Sequence, residues 1–391
     1  MKRLISILLI STLLITLSVP IFAENSGKTT AEATSTSDAE LNLNCNGSYL
    51  MEASTGKVLY ASDEFTSASP ASVTKIMTLL LVCEAIENGS VSLTDTVCVS
   101  SYAASMGGSQ VFLEEGEQMS VEDLIKCTVI ASANDAAVAL AELVCGSESE
   151  FVKKMNDRAA DMGLRNTSFE NTTGLDDTTT SHYSCPADIA RMSRELIRHD
   201  IILKYSSMWQ DTIRDGEFTL TNTNRLVRYY DGCNGLKTGS TDKAGYCVSA
   251  TAKRGNMQLI AVIMGAPTRD ARNNSARALL DYGFANFALY ECSEEYIQDA
   301  DVLRGTDDKV KLYSSSFSAV IPKSDLKRVE LKYNIPTTLQ APVNRGQSVG
   351  EITYYLGEEQ LGKTQIFADK DVDQINFWQI FTRMLACITA W

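Results

Sequence analysis

The chain has 391 residues, 44% hydrophobic and 21% charged, which is ordinary globular composition and enough length for two or three domain cores. Its formal net charge of -14 argues against nucleic acid as a partner, because a phosphate backbone requires a basic face. Neither Cys-x-x-Cys nor His-Glu-x-x-His occurs, so zinc sites of those spacings are disfavoured and neither metal nor cofactor is expected.

Lys2 and Arg3 precede an apolar run from Leu4 to Val19 that exits through Pro20-Ile21-Phe22-Ala23, which predicts a signal peptide over 1–23 and an exported protein. Residues 24–42 are rich in Ser, Thr, Glu and Ala and read as a flexible linker. Gly47 to Ala53 and Lys57 to Ala61 read as short strands about the turn Ser54-Thr55-Gly56. The stretch from Pro70 to Leu81 is the centre about which the other elements are arranged. Val73, Ile76, Met77 and Leu80 recur at helical spacing, which predicts one buried helix face. Ser69 is placed to cap that helix, Pro70 suits its first turn, and Asn88-Gly89 supplies a left-handed stop.

Ser120, with Asp123 three residues on, opens a second helix that breaks at Ala131 to Asp135. Helices over Ala136 to Cys145, about 149–162, and Cys185 to His199 come next, with a polar loop over 166–184. Phe218 to Thr221, Leu236 to Thr238, Tyr246 to Lys253 and Gln258 to Met264 read as strands, and Arg269 to Leu289 as one long helix. Helices in the middle and strands at both ends predict an α+β domain over 43–292 whose first and last segments share one antiparallel sheet flanked by helices. Short strands over 293–370 predict a small all-β domain. In the last segment, 371–391, Ile375, Phe377, Trp378, Phe381, Met384, Leu385, Ile388 and Trp391 share a stripe opposite Asp373, Gln374, Asn376, Gln379, Thr382 and Arg383. That pattern predicts a C-terminal amphipathic helix lying on a membrane surface. Of the ten cysteines, Cys83 and Cys127 read as reduced and buried, while Cys233 and Cys247, flanking a predicted hairpin, are the first candidate pair for a bridge.

The chemistry is narrowed by what is missing. Only two histidines exist, His182 and His199, and no Gly-x-Ser-x-Gly elbow, so a Ser-His-Asp triad is poorly supported and both histidines read as surface or structural. Gly357 to Thr364 fits the P-loop pattern but sits between two predicted strands, where no helix N-terminus is available to cradle phosphate. A lysine remains as base. Ser-x-x-Lys occurs four times, but only Ser72 with Lys75 opens a long apolar helix, where a hydroxyl and an amine share one face. Lys75 must be neutral near pH 7, and burial beside a second cation achieves that. Lys237-Thr238-Gly239 offers such a cation on an edge strand, and Ser132-Ala133-Asn134 offers a second hydroxyl and an amide at a helix break.

These three segments, in this order, resemble the motifs of the penicillin-binding, active-site-serine fold. The longer runs Pro70 to Thr78, Ser132 to Ala136 and Gly235 to Thr241 are similar to the low-molecular-mass D-alanyl-D-alanine carboxypeptidases, including their sporulation-associated branch. The resemblance spans residue 43 to the end and implies a β-lactamase/transpeptidase-like sheet, a serine carboxypeptidase acting on peptidoglycan stem peptides, and β-lactams as covalent inhibitors. It implies Ser72, Lys75 and Ser132 as catalytic residues and Asn134, Lys237, Thr238, Gly239, Ser240 and Arg272 as substrate contacts. It places the protein on the outer face of the cytoplasmic membrane or in the cell wall of a bacterium. One departure is Ser240, where many members carry His or Thr. A β-lactamase or a penicillin-sensing module that does not turn over is the alternative. No Glu-x-x-Leu-Asn segment lies between Asn134 and Lys237, which disfavours the deacylating glutamate of a class A β-lactamase.

Overall fold

The computed structural model describes residues 41–389, so the expected signal peptide and nearly all of the linker lie outside the described residues. The first domain is built on five antiparallel strands: β1 (Gly47–Glu52), β2 (Val58–Ser62), β3 (Cys233–Thr241), β4 (Gly245–Arg254) and β5 (Met257–Ala266), in the order β2-β1-β5-β4-β3. β1 pairs with β5 from Gly47 opposite Met264 to Glu52 opposite Leu259, so the two ends of the domain do share one sheet. β3 is an edge strand.

Side chains alternate across the sheet and build a core on each face. Ile260, Val262 and Met264 of β5 face α1 (Lys75–Glu87) and the neighbouring helices, among them α2 (Asn134–Cys145) and α3 (Pro186–Leu196). Leu259, Ala261 and Ile263 face α4 (Arg269–Asn286) through Leu279 and Leu280.

Several expectations change here. α1 is buried on every side from Lys75 to Cys83 rather than along one stripe, because it runs through the interior between sheet and helices. Ser69 does not cap it; its hydroxyl donates to Asp176 Oδ2 at 2.9 Å. The stop at Asn88 with Gly89 in the left-handed region is as expected. α4 ends at Asn286, since Phe287 turns extended and β6 (Phe287–Cys292) pairs with strand Phe317–Pro322, upstream of the expected domain start at 293. No bridge joins Cys233 and Cys247: the ladder sets them opposite Ala252 and Gly239, and they pack into cores on opposite faces of the sheet. All nine cysteines whose side chains are described are free.

The C-terminal part is all-β, with a six-stranded sheet around Ala300, Leu312, Ile352, Tyr354 and Ile366. The P-loop-like segment falls in the hairpin between Ser348–Leu356 and Glu359–Ala368, as expected. The chain then runs to α5 (Phe377–Thr389) along this domain, tied by bridges between Val343 and Val372 and between Gly305 and Gln374. Arg383 of α5 reaches back to Asp308 at 3.1 Å. The apolar residues of α5 stay in solvent: Phe377 is 71% exposed, Trp378 72% and Met384 60%.

Thermal unfolding with and without reductant is expected to give the same Tm, and the denatured chain to titrate as free thiols without prior reduction. A Tm that falls on reduction would reveal a stabilising bridge.

Candidate active site

The site starts from a strained turn. Ala71–Thr74 form a 3-10 turn that leads directly into α1, and Ala71 holds φ at 48°, a left-handed conformation uncommon for a residue with a Cβ. Gly174 sits on that turn with φ at 83°, and a Cβ there would lie 1.8 Å from the Ala71 carbonyl oxygen. Only glycine lets the 166–184 loop approach this closely.

Lys75, the first residue of α1, is fully buried. Its Nζ lies 3.0 Å from Ser72 Oγ, 2.6 Å from Asn134 Oδ1 and 2.8 Å from the Thr173 carbonyl oxygen. The last two can only accept. A neutral amine that donates its two N–H groups to them keeps its lone pair for the Ser72 hydroxyl. Burial holds the Lys75 amine well below its ordinary value; the charge of Lys237 lowers it further and Asp135 opposes both.

Ser132 stands where the π-helical turn Cys127–Ala131 breaks, at φ 64°, just before α2. Lys237 donates to Ser132 Oγ at 2.7 Å and to the Thr238 carbonyl at 2.8 Å. Lys237 is also fully buried, and burial, helped by the Arg272 charge, pushes its amine down to about 7. Asn134 is oriented by its Nδ2, which donates to the Gly107 carbonyl at 2.7 Å. Buried Asp135 accepts from the backbone N–H groups of Val111 and Leu113, both at 3.1 Å, and so pins the loop carrying Gly107.

On the edge strand, Thr238 Oγ1 donates to Thr223 Oγ1 at 2.8 Å. A Cβ on Gly239 would come within 2.8 Å of the Ser72 backbone nitrogen, so β3 passes directly beside the Ser72 amide. Ser240 is exposed at the cleft. Arg272 is buried, donates to Asn273 Oδ1 at 2.9 and 3.1 Å, and is lowered to about 10 by burial and the nearby Arg269 charge.

Ser72, Ser132, Thr238, Gly239, Ser240 and Arg272 line one cleft of about 390 Å³, and Lys75, Asn134 and Lys237 stand behind its wall, bonded as described. All nine residues nominated from the sequence therefore meet at one place. No Asp or Glu is among the described residues lining it. Neither histidine joins it: His182 is buried between the Glu170 N–H and Thr74 Oγ1, where burial lowers it to about 4, and His199 pairs with Glu87. Sequence reasoning missed Thr173, Thr223, Trp209, Arg225 and Arg269. A signal for Thr173 exists, because Asn171-Thr172-Thr173-Gly174 is an Asx-turn sequence, and Asn171 Oδ1 accepts from the Gly174 N–H at 2.7 Å. The others sit in irregular segments or at a helix start with no local mark.

Residues 32–268 match the peptidase S11 family, described as D-alanyl-D-alanine carboxypeptidase, and residues 284–374 match the penicillin-binding protein 5 C-terminal domain. The chain is 40% identical to D-alanyl-D-alanine carboxypeptidase DacF of Bacillus subtilis (strain 168), over 98% of both chains. It is 34% identical to D-alanyl-D-alanine carboxypeptidase DacC of Escherichia coli (strain K12), over 84% of each. Among solved structures, penicillin binding protein 5 from Haemophilus influenzae superposes with a TM-score of 0.73 at 33% identity, covering 85% of this chain and 98% of that one. Penicillin-binding protein D2 from Listeria monocytogenes in its ampicillin-bound form gives 0.58 at 32% identity, covering 62% and 99%.

Lys237 also makes stability depend on pH. Its amine falls from an ordinary 10.5 to about 7 on folding, so between those values the unfolded chain binds more protons and stability rises with pH. Below about 7 both states are protonated and the cost of the buried charge is felt in full. Denaturant melts of the wild type and Lys237→Met across this range are expected to show the wild type gaining on the variant as pH rises. A constant difference would contradict a depressed Lys237.

Proposed function

The chain belongs to the D-alanyl-D-alanine carboxypeptidase family of serine peptidases, and on that basis we propose that Ser72 attacks the carbonyl between the two terminal D-alanines of a peptidoglycan stem peptide while Lys75 takes its proton. The observation that carries this reading is the Lys75 amine, 3.0 Å from Ser72 Oγ with two carbonyl oxygens occupying its N–H groups. The backbone N–H groups of Ser72 and Ser240 hold the oxyanion, an interaction worth roughly 3 to 4 kcal/mol per donor. Ser132, held by Lys237, passes a proton to the leaving amine. Asn134 hydrogen-bonds the peptide, and Gly239 keeps the strand backbone open to it. Thr238 and Arg272 receive the terminal carboxylate. The C–N bond breaks, D-alanine leaves, and water hydrolyses the Ser72 ester to restore the enzyme.

A β-lactam enters as a mimic of the terminal dipeptide and acylates Ser72. A cleft without a lining carboxylate favours a long-lived adduct over rapid hydrolysis. Export through residues 1–23 and attachment through the tail would put this chemistry on the outer face of the cytoplasmic membrane. Support for the tail is the exposed Phe377, Trp378, Phe381 and Met384 on one helix. No helix among the described residues is long and apolar enough to cross a bilayer, so α5 would lie in the interface.

Release of D-alanine from a D-Ala-D-Ala peptide is expected to vanish in Ser72→Ala, together with the mass increase on incubation with penicillin. Lys75→Ala should lower kcat/KM by about 10²- to 10⁴-fold. Turnover surviving in Ser72→Ala would rule this assignment out. Deleting residues 377–391 should move the mature protein from the membrane to the soluble fraction; retention in the membrane would refute the tail as anchor.

A further inference from the structure

The cleft holds more positive charge than a terminal carboxylate needs. Arg225, Arg269 and Arg272 all line it, with Arg225 and Arg269 exposed and Arg272 buried. A single carboxylate is satisfied by one bidentate guanidinium and a hydroxyl, here Arg272 and Thr238. The remaining two arginines have no ion-pair or side-chain hydrogen-bond partner among the described residues, and Asp270, beside Arg269 in the first turn of α4, does not line the cleft. Three guanidinium groups in one cleft of a chain of net charge -14 repel one another, and the Arg269 and Arg225 charges both bear on Arg272. Such crowding without a compensating carboxylate is the electrostatic form of a site awaiting an anion.

We propose that Arg225 and Arg269 form a second anion subsite on the leaving-group side, for substrates whose C-terminal residue carries an acidic side chain besides its terminal carboxylate. Arg272 and Thr238 take the main-chain carboxylate, and the side-chain carboxylate lies between Arg225 and Arg269. The bond cleaved and the proton transfers are those of the carboxypeptidase reaction, so this inference rests on the carboxypeptidase reading and extends its substrate class.

The test compares three acylated peptides ending in D-Ala-D-Ala, D-Ala-D-Glu and D-Ala-D-Gln on the full mature chain. D-Glu and D-Gln share shape and differ in charge. The wild type is expected to favour D-Glu over D-Gln in kcat/KM by about fivefold at low salt, and less as ionic strength rises. Arg225→Gln with Arg269→Gln should bring the ratio to one, and the matching pair of Lys substitutions should retain a preference for D-Glu. Protection of Ser72 from a labelled penicillin by the same peptides reads the preference without turnover. A wild-type ratio near one, or a ratio unchanged in the Gln variant, overturns the subsite. Absence of D-alanine release from the first peptide would instead overturn the carboxypeptidase reading, so the two failures are separable.

Discussion

Two lysine amines are buried beside one cleft, where charge on both is costly, and the rest of the site is shaped by that constraint. Lys75 and Lys237 are each fully buried, far more than lysine tolerates without compensation. Removing water from either amine favours its neutral form, and the charge on one disfavours the charge on the other. The fold answers with carbonyl oxygens for Lys75 and a hydroxyl and a carbonyl for Lys237, groups that accept from an amine without stabilising its charge as a carboxylate would. The carboxylate whose charge acts on Lys75, Asp135, accepts from backbone N–H groups of the 111–113 loop. An amine, and no imidazole, thereby stands beside the Ser72 alcohol.

The architecture around the site serves this placement. α1 must lie inside the protein for its first residue to be dry, which is why it is covered on all sides. The edge position of β3 leaves its outer side free, so Gly239 can pass the Ser72 amide while Lys237 points inward. The break between Ala131 and Asn134 breaches the helical layer at the level where Ser132 meets Lys237.

Much of this was legible in the residues. Ser72, Lys75, Ser132 and Lys237 declared themselves because each motif sat at a recognisable structural place: a helix start, a helix break, an edge strand. The sheet was legible from alternation and from turn residues such as Gly56. What stayed hidden depended on distant partners. Ser69 reads locally as a cap, but Asp176, 107 residues away, takes its hydroxyl. Phe287 to Leu289 continue a helical pattern, yet pairing with the strand around Val320 turns them into β6. Cys233 and Cys247 flank the β3–β4 hairpin in sequence, but an irregularity in the ladder between Cys233 and Gly235 turns Cys233 to the other face. Thr223, Arg225 and Arg269 reach the cleft through irregular chain or a helix start that no period describes.

The passage from α4 to β6 has no spare residue: Asn286 ends the helix and Phe287 begins the strand. Lys323 Nζ also donates to the Phe284 carbonyl at 3.3 Å, and the segment before α5 is laced to the β domain at Val372 and Gln374. The catalytic domain thus passes into the β domain without an intervening linker. If the terminal helix rests on a surface, so short a junction limits how far the cleft can stand from it. Which wall strands are trimmed then becomes a matter of stature as well as of affinity.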